Sequence, residues 1–363
     1  TLRMVGLGSW LGLVLWMAGP ATIDYTRQIR PILSNHCYQC HGPDGEQRQA
    51  GLRLDQREAA QSVLESGGRG IVPGDPSASL VIERVTSHDP ERQMPPPSFN
   101  KSLTPAQVET LKQWIESGAT WKEHWAFQTP GDPAIPEPAD SAWGLEPIDR
   151  FVQSRLSAES LTPSPKADKV SLLRRVTFDL TGLPPTGEEI DAFLADTSTG
   201  AYERVVQRLV DSPRYGEQMA RYWLDAARFG DTHGLHLDNY RSMWPYRDWV
   251  IQAFQKNMPF DRFAIEQLAG DLLPGATEEQ RIATGFNRCN VTTSEGGSID
   301  EEYYVRYTVD RVETTATVFM GLTLGCAVCH DHKFDPFTQR EFYQLFAYFN
   351  NLTEKPMDGN KDD

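Results

Sequence analysis

Long apolar runs are almost missing from this chain of 363 residues. The only one, residues 5–18, follows Arg3 and leads into Gly19-Pro20-Ala21, small residues suited to cleavage of an export signal. It is short for a permanent bilayer span, so residues 1–21 are expected to be a signal-peptide remnant, with an uncleaved anchor as the one membrane alternative. Opening on Thr1, the chain reads as a fragment or a trimmed gene product. Basic residues are outnumbered, 35 against 50 acidic, for a net charge of −15. That balance argues against binding nucleic acid or anionic membrane by bulk electrostatics and favours a basic partner. Strand-like alternation is scarce too, and no internal repeat shows beyond one pentapeptide pattern.

Cysteine is also scarce, with five in the chain, and four of them fall into that pattern: Cys37-Tyr38-Gln39-Cys40-His41 and Cys326-Ala327-Val328-Cys329-His330. Two thiols three positions apart, followed at once by histidine, are what covalent attachment of a c-type haem needs. Each thiol adds across a vinyl group, and the imidazole reaches the iron. A four-thiolate zinc site is the competing reading. Most of the chain separates the two pairs, and the histidine after each favours haem. A redox-active dithiol is the third reading. Haem c attached outside the cytoplasm agrees with the export signal, and places the protein in the periplasm or at the cell surface.

The chain is long enough for two or three domains. A first domain spans 22–122. Residues 25–33 read as a helix leading into the haem motif, and Gly42-Pro43-Asp44-Gly45 as a turn leaving it. Asp75-Pro76 reads as the start of a helix carrying Leu80, Ile82 and Val85. Thr104-Pro105-Ala106-Gln107 reads as a capping box opening a helix with Val108, Leu111 and Ile115 on one face. Met94, held in Gln93-Met94-Pro95-Pro96-Pro97, is a candidate thioether ligand, against the plainer reading of a loop methionine. The order of haem motif, long loops, Met-Pro and closing helix resembles a small class I cytochrome c. That resemblance implies His41 and Met94 as the axial ligands of the first iron.

Residues 123–147 read as a proline-rich linker, with Trp121, Trp125 and Phe127 docking near its start. Residues 148–352 show helical spacing throughout, as in Ile148-Phe151-Val152-Leu156, Leu172-Leu173-Val176 and Val205-Val206-Leu209. An all-α domain with long loops is expected there, then a polar tail over 353–363. His330 is the proximal candidate for a second haem. His332 is too near it in sequence to reach the opposite face, and His233, His236, Met243, Met258 and Met320 compete for that position with an empty site. The loop holding His233 and His236 is a candidate ligand loop or a plain polar loop. Arg221, Arg228, Arg241 and Arg247 are either propionate partners or surface ion pairs. Cys289 reads as a buried thiol.

Longer motifs carry a resemblance over nearly the whole chain. Tyr25-Thr26-Arg27-Gln28-Ile29-Arg30-Pro31-Ile32-Leu33, Gly51-Leu52-Arg53-Leu54-Asp55, Val72-Pro73-Gly74-Asp75-Pro76 and Met94-Pro95-Pro96-Pro97 resemble the planctomycete-type cytochrome c domain. Leu180-Thr181-Gly182-Leu183-Pro184-Pro185, Trp244-Pro245-Tyr246-Arg247-Asp248-Trp249-Val250, Glu266-Gln267-Leu268-Ala269-Gly270-Asp271 and Cys329-His330-Asp331-His332-Lys333 resemble the helical domain of unknown function that follows it. The resemblance implies an exported c-type cytochrome without an assigned catalytic residue, and a further C-terminal domain beyond this sequence. The leading expectation is therefore a mainly α, dihaem electron carrier handing electrons to a redox partner protein. A haem oxidoreductase with an open second iron and a zinc-stabilised interaction protein are the alternatives.

Overall fold

The computed structural model describes residues 23–122, 127–137, 146–332 and 335–354. The export signal, Trp125, Lys333, parts of the linker and the tail from residue 355 lie outside the described residues. The fold is mainly α: the described residues form fifteen α-helices and no strand, with only isolated β-bridges. Two compact units divide the chain, one running to Thr129 and including Asp331–Pro336, the other holding Pro130–His330 and the residues from Phe337.

In the first unit, Asp24 opens the helical entry by accepting the amide protons of Thr26 and Arg27 at 2.9 and 3.2 Å. Helix α1 (Arg30–His36) breaks at Cys37, and α2 (Tyr38–His41) resumes directly. Short helices α3 (Arg57–Gln61) and α4 (Leu80–Val85) follow, then α5 (Pro105–Glu116). The capping box of α5 forms as the sequence predicts: Gln107 donates its amide to Thr104 Oγ1 at 3.2 Å, and Thr104 donates its own to Gln107 Oε1 at 2.8 Å.

One helix start differs. Asp75 accepts the amides of Ser77 and Ala78 at 2.9 and 3.0 Å and so closes an isolated turn. Buried Ser79 then ties that loop together, accepting the Val72 amide and donating to the Asp75 carbonyl, both at 2.8 Å. The carboxylate is consumed by the turn, and α4 starts only at Leu80.

Ile29, Leu33, Leu54, Ile71, Leu111, Trp114 and Ile115 fill the core of this unit. Trp114 lies between Tyr25 and Trp121, with ring centroids 5.6 and 5.4 Å away, and its indole donates to the Thr120 carbonyl at 3.0 Å. Trp121 is thus an anchor of this core. Trp114→Ala should destabilise the unit by about 3–5 kcal/mol, read by urea unfolding, because the cavity adds to the lost burial. A loss below about 1 kcal/mol would mean the site collapses around the gap.

The second unit strings together α6 (Pro147–Ala158), α7 (Lys169–Thr181), α8 (Gly187–Ala195), α9 (Ala201–Val210), α10 (Pro213–Ala226), α11 (Trp244–Gln255), α12 (Phe260–Ala269), α13 (Glu278–Ala283), α14 (Asp300–Thr315) and α15 (Gln339–Phe349). Helix α6 forms where the spacing predicts it, yet Ile148 is 78% exposed and the buried residue is Gln153. Spacing fixes the helix there without fixing which face is covered.

One core gathers Tyr246, Trp249, Val250, Phe263 and Phe286 with Trp223. Its buried polar group, Gln267, accepts from Trp223 Nε1 at 2.8 Å and Tyr246 Oη at 2.7 Å, and donates to the Phe263 carbonyl at 3.0 Å. Another core joins α14, the turn around Ala327 and α15 through Val312, Ala316, Leu324, Ala327, Phe342 and Phe349. No helix among the described residues is long and apolar enough to cross a membrane.

Candidate functional site

The first cysteine pair sits where α1 gives way to α2. Cys37 receives the amide protons of both Cys40, at 3.1 Å, and His41, at 2.8 Å, so two thiols and an imidazole share one turn. Tyr38 holds that turn inward: it is 5% exposed and hydrogen-bonded to Tyr25, and burial pushes its phenol up to about 12. Gly42 ends the turn because a Cβ there would run into the Tyr38 carbonyl. The following loop then folds back. Gln49 and Leu54 donate their amides to the carbonyls of Cys40 and His41 at 2.8 and 2.7 Å, and Arg48 donates to the Gly42 and Pro43 carbonyls.

The chemistry of these groups suits a covalently held porphyrin. Cys37 is half-buried against the first core, and burial, reinforced by the Cys40 thiol, pushes it up to about 12. A site that keeps sulfur neutral fits an uncharged thioether better than a metal thiolate. Burial pushes His41 below its ordinary value, with backbone hydrogen bonding at Gln49 and Leu52 opposing, so the imidazole is neutral at pH 7, the form that binds iron. Its Nδ1 is buried without a hydrogen-bond partner. Met94 lies in the loop after α4, half-buried, donating its amide to the Arg84 carbonyl at 3.0 Å and joined to Pro95 by a cis peptide.

The second pair repeats the turn. Cys329 donates its amide to the Cys326 carbonyl at 3.4 Å, the counterpart of the bond from Cys40 to Cys37. Ala327, fully buried, takes the place of Tyr38, while Cys326, Cys329 and His330 are exposed. From α15, Gln339 Nε2 and Tyr343 Oη both donate to the Val328 carbonyl, at 3.0 and 3.1 Å, and hold the turn in place. His332 is buried, and its Nδ1 accepts the Asp335 amide at 2.8 Å, which makes it a structural anchor.

The remaining candidates are spread through the second unit. Met243 and Met258 pack into the aromatic core, whereas Met320 is 53% exposed. His233 is 1% exposed and accepts the Asn239 amide through Nε2 at 3.1 Å, while its Nδ1 is buried without a hydrogen-bond partner. His236 is exposed. Arg228 pairs with Asp310, Arg247 with Asp248, Arg221 lies over Tyr222, and Arg241 donates to the Asn290 carbonyl at 3.0 Å. Cys289 is buried, and burial raises it to about 12 despite the pull of Arg241 and Arg228. No group of three or more His, Cys, Asp or Glu among the described residues is placed to hold a bare metal ion.

Sequence spacing misses one polar centre. Arg311 is 4% exposed, donates Nε to the Asn287 carbonyl at 2.7 Å and Nη2 to Asn290 Oδ1 at 3.2 Å, and grips both oxygens of buried Glu354. Its role is to tie α14 to the final described residues, where Tyr304 and Arg288 also hold the Glu354 and Thr353 carbonyls.

Comparison with known families yields two matches. Residues 37–98 match the family described as Planctomycete cytochrome C, and residues 147–354 match Protein of unknown function (DUF1549). No curated protein and no solved structure matches the chain.

Proposed function

The chain belongs to the DUF1549 family of proteins of unknown function, with a planctomycete cytochrome C segment ahead of that region, and from this premise we propose an exported cytochrome that carries two haems c and relays electrons. The observation that carries the reading is the repeated turn. In both motifs the second cysteine donates its amide to the first, and the residue after the first cysteine is buried. Each turn therefore presents two thiols and an imidazole together. Cys37, Cys40 and His41 would hold the first haem with Met94 as its second axial ligand, and Cys326, Cys329 and His330 would hold the second. When bound, haem c supplies a one-electron iron couple. The chain's own contribution is to orient the ligands through Tyr38 and Ala327, to keep His41 neutral, and to shelter the first site more than the second. The acidic surface, with a net charge of −15, suits a basic redox partner.

A haem oxidoreductase is the second reading. It is favoured by the packing of Met243 and Met258 against a core, which leaves fewer candidates to close the second iron. Protein matured in a periplasm competent for c-type assembly, assayed as its pyridine haemochrome and then with carbon monoxide after reduction, separates the cases. Two haems without a carbon monoxide response are expected for a relay. A response from one haem would favour the oxidoreductase, and the absence of covalent haem would overturn both.

Met94→Ala should lower the first haem's potential by on the order of 100 mV, a fraction of the range of about 0.8 V that axial ligands span. It should also create a carbon monoxide response. An unchanged potential would remove Met94 from the ligand set.

A further inference from the structure

The relay reading leaves one carboxylate beside the second motif without a task. Glu313, on α14, packs on the backbone of that motif: a Cβ built on Gly325, the residue before Cys326, would lie 2.5 Å from Glu313 Oε1 and 3.2 Å from its Cδ. A side chain at that position would have to displace the carboxylate. Two charged groups face it. Asp310 lies one turn earlier on α14, and Arg228 follows the end of α10. Arg228 donates to both Asp310 oxygens, one of the bonds being 2.7 Å, so its charge is directed mainly at Asp310. Glu313 forms no ion pair among the described residues. Half-buried, with Asp310 beside it, its carboxyl is held above the ordinary carboxylate range despite Arg228.

We propose that Glu313 takes up a proton when the haem attached to Cys326 and Cys329 gains an electron. The proposal rests on the reading that the second motif carries haem. The electron comes from the redox partner, or from a chemical reductant in a titration, and takes the iron from ferric to ferrous. The proton comes from water and converts the Glu313 carboxylate to the acid, so net charge around the site is conserved. The reason is electrostatic: Glu313 is half-buried, so a negative charge added nearby raises its proton affinity, and by linkage the proton favours the electron. The location of Glu313 against the attachment turn puts that coupling at the second haem rather than the first.

The test is a spectroelectrochemical titration of the two-haem protein from about pH 5 to about pH 9, a range that brackets a raised carboxyl. One midpoint potential should fall with rising pH over a limited window, with a slope approaching about 59 mV per unit, the one-electron equivalent of a tenfold change. In Glu313→Gln that slope should vanish while the other haem is unchanged. A slope retained in this variant, with two haems present, would overturn the proposal alone. Should Glu313→Gln fail to fold, Asp310→Asn serves: losing the neighbouring negative charge should move the sloping window to lower pH, and an unmoved window would overturn the proposal. A haemochrome count of one per chain in the unsubstituted protein would instead overturn the dihaem reading beneath it.

Discussion

On the two-haem reading, replacing Cys326 and Cys329 together by serine should leave one covalent haem per chain in place of two. The effect is a loss of half the haemochrome absorbance, because both vinyl attachments of one group disappear and the remaining imidazole gives no covalent hold. Serine is close to cysteine in size, and both positions are exposed, so little packing is lost. The turn itself persists, since buried Ala327 and the two donors to the Val328 carbonyl are untouched. The complementary replacement of Cys37 and Cys40 should remove the other haem. An unchanged haem content in the Cys326 and Cys329 variant would reduce the second motif to a structural turn.

Arg311→Met should strongly destabilise the second unit. Glu354, with its side chain 9% exposed, would remain as an uncompensated buried charge, which costs about 3–5 kcal/mol. For a unit of this size that corresponds to a fall in melting temperature of on the order of 10 °C, read by calorimetry. Replacing both partners, Arg311→Met with Glu354→Leu, should recover most of the loss, because a buried ion pair exchanged for apolar groups is close to neutral. A double variant as unstable as the single one would show that the other Arg311 bonds, to Asn287 and Asn290, dominate.

Those predictions mark where the sequence was legible and where it was not. Capping boxes are local chemistry, and the one at Thr104 and Gln107 forms where its four residues announce it. The cysteine spacing likewise announces both turns. Asp75 misleads because an N-cap aspartate and an aspartate closing a turn carry the same local pattern, and only the tertiary bonds of Ser79 decide between them. Helices α14 and α15 escape the reading of apolar spacing for different reasons. The inward face of α14 is built from Tyr307, Thr308, Arg311, Thr314 and Thr315 as much as from Val312, so its buried side does not look apolar. In α15, Phe342, Leu345, Phe346 and Phe349 do have helical spacing, but they follow a cysteine motif that drew the chemical reading instead. Glu313 could not be singled out at all, because its place depends on how the chain folds back after α14 to bring Gly325 against that helix.

The bonds from Gln339 and Tyr343 to the Val328 carbonyl also bear on the order of assembly. The hydrogen bonds that shape the first attachment turn come from close by in sequence: Tyr25 upstream, Gln49 and Leu54 just downstream. The second turn is held by a helix that follows it in the chain. The first site can therefore close through local bonds while the second still waits for α15. If both motifs carry haem, an attaching enzyme that works on unfolded motifs would have a shorter interval at the first pair than at the second. On the two-haem reading, incomplete maturation should therefore leave chains that lack the first group more often than the second.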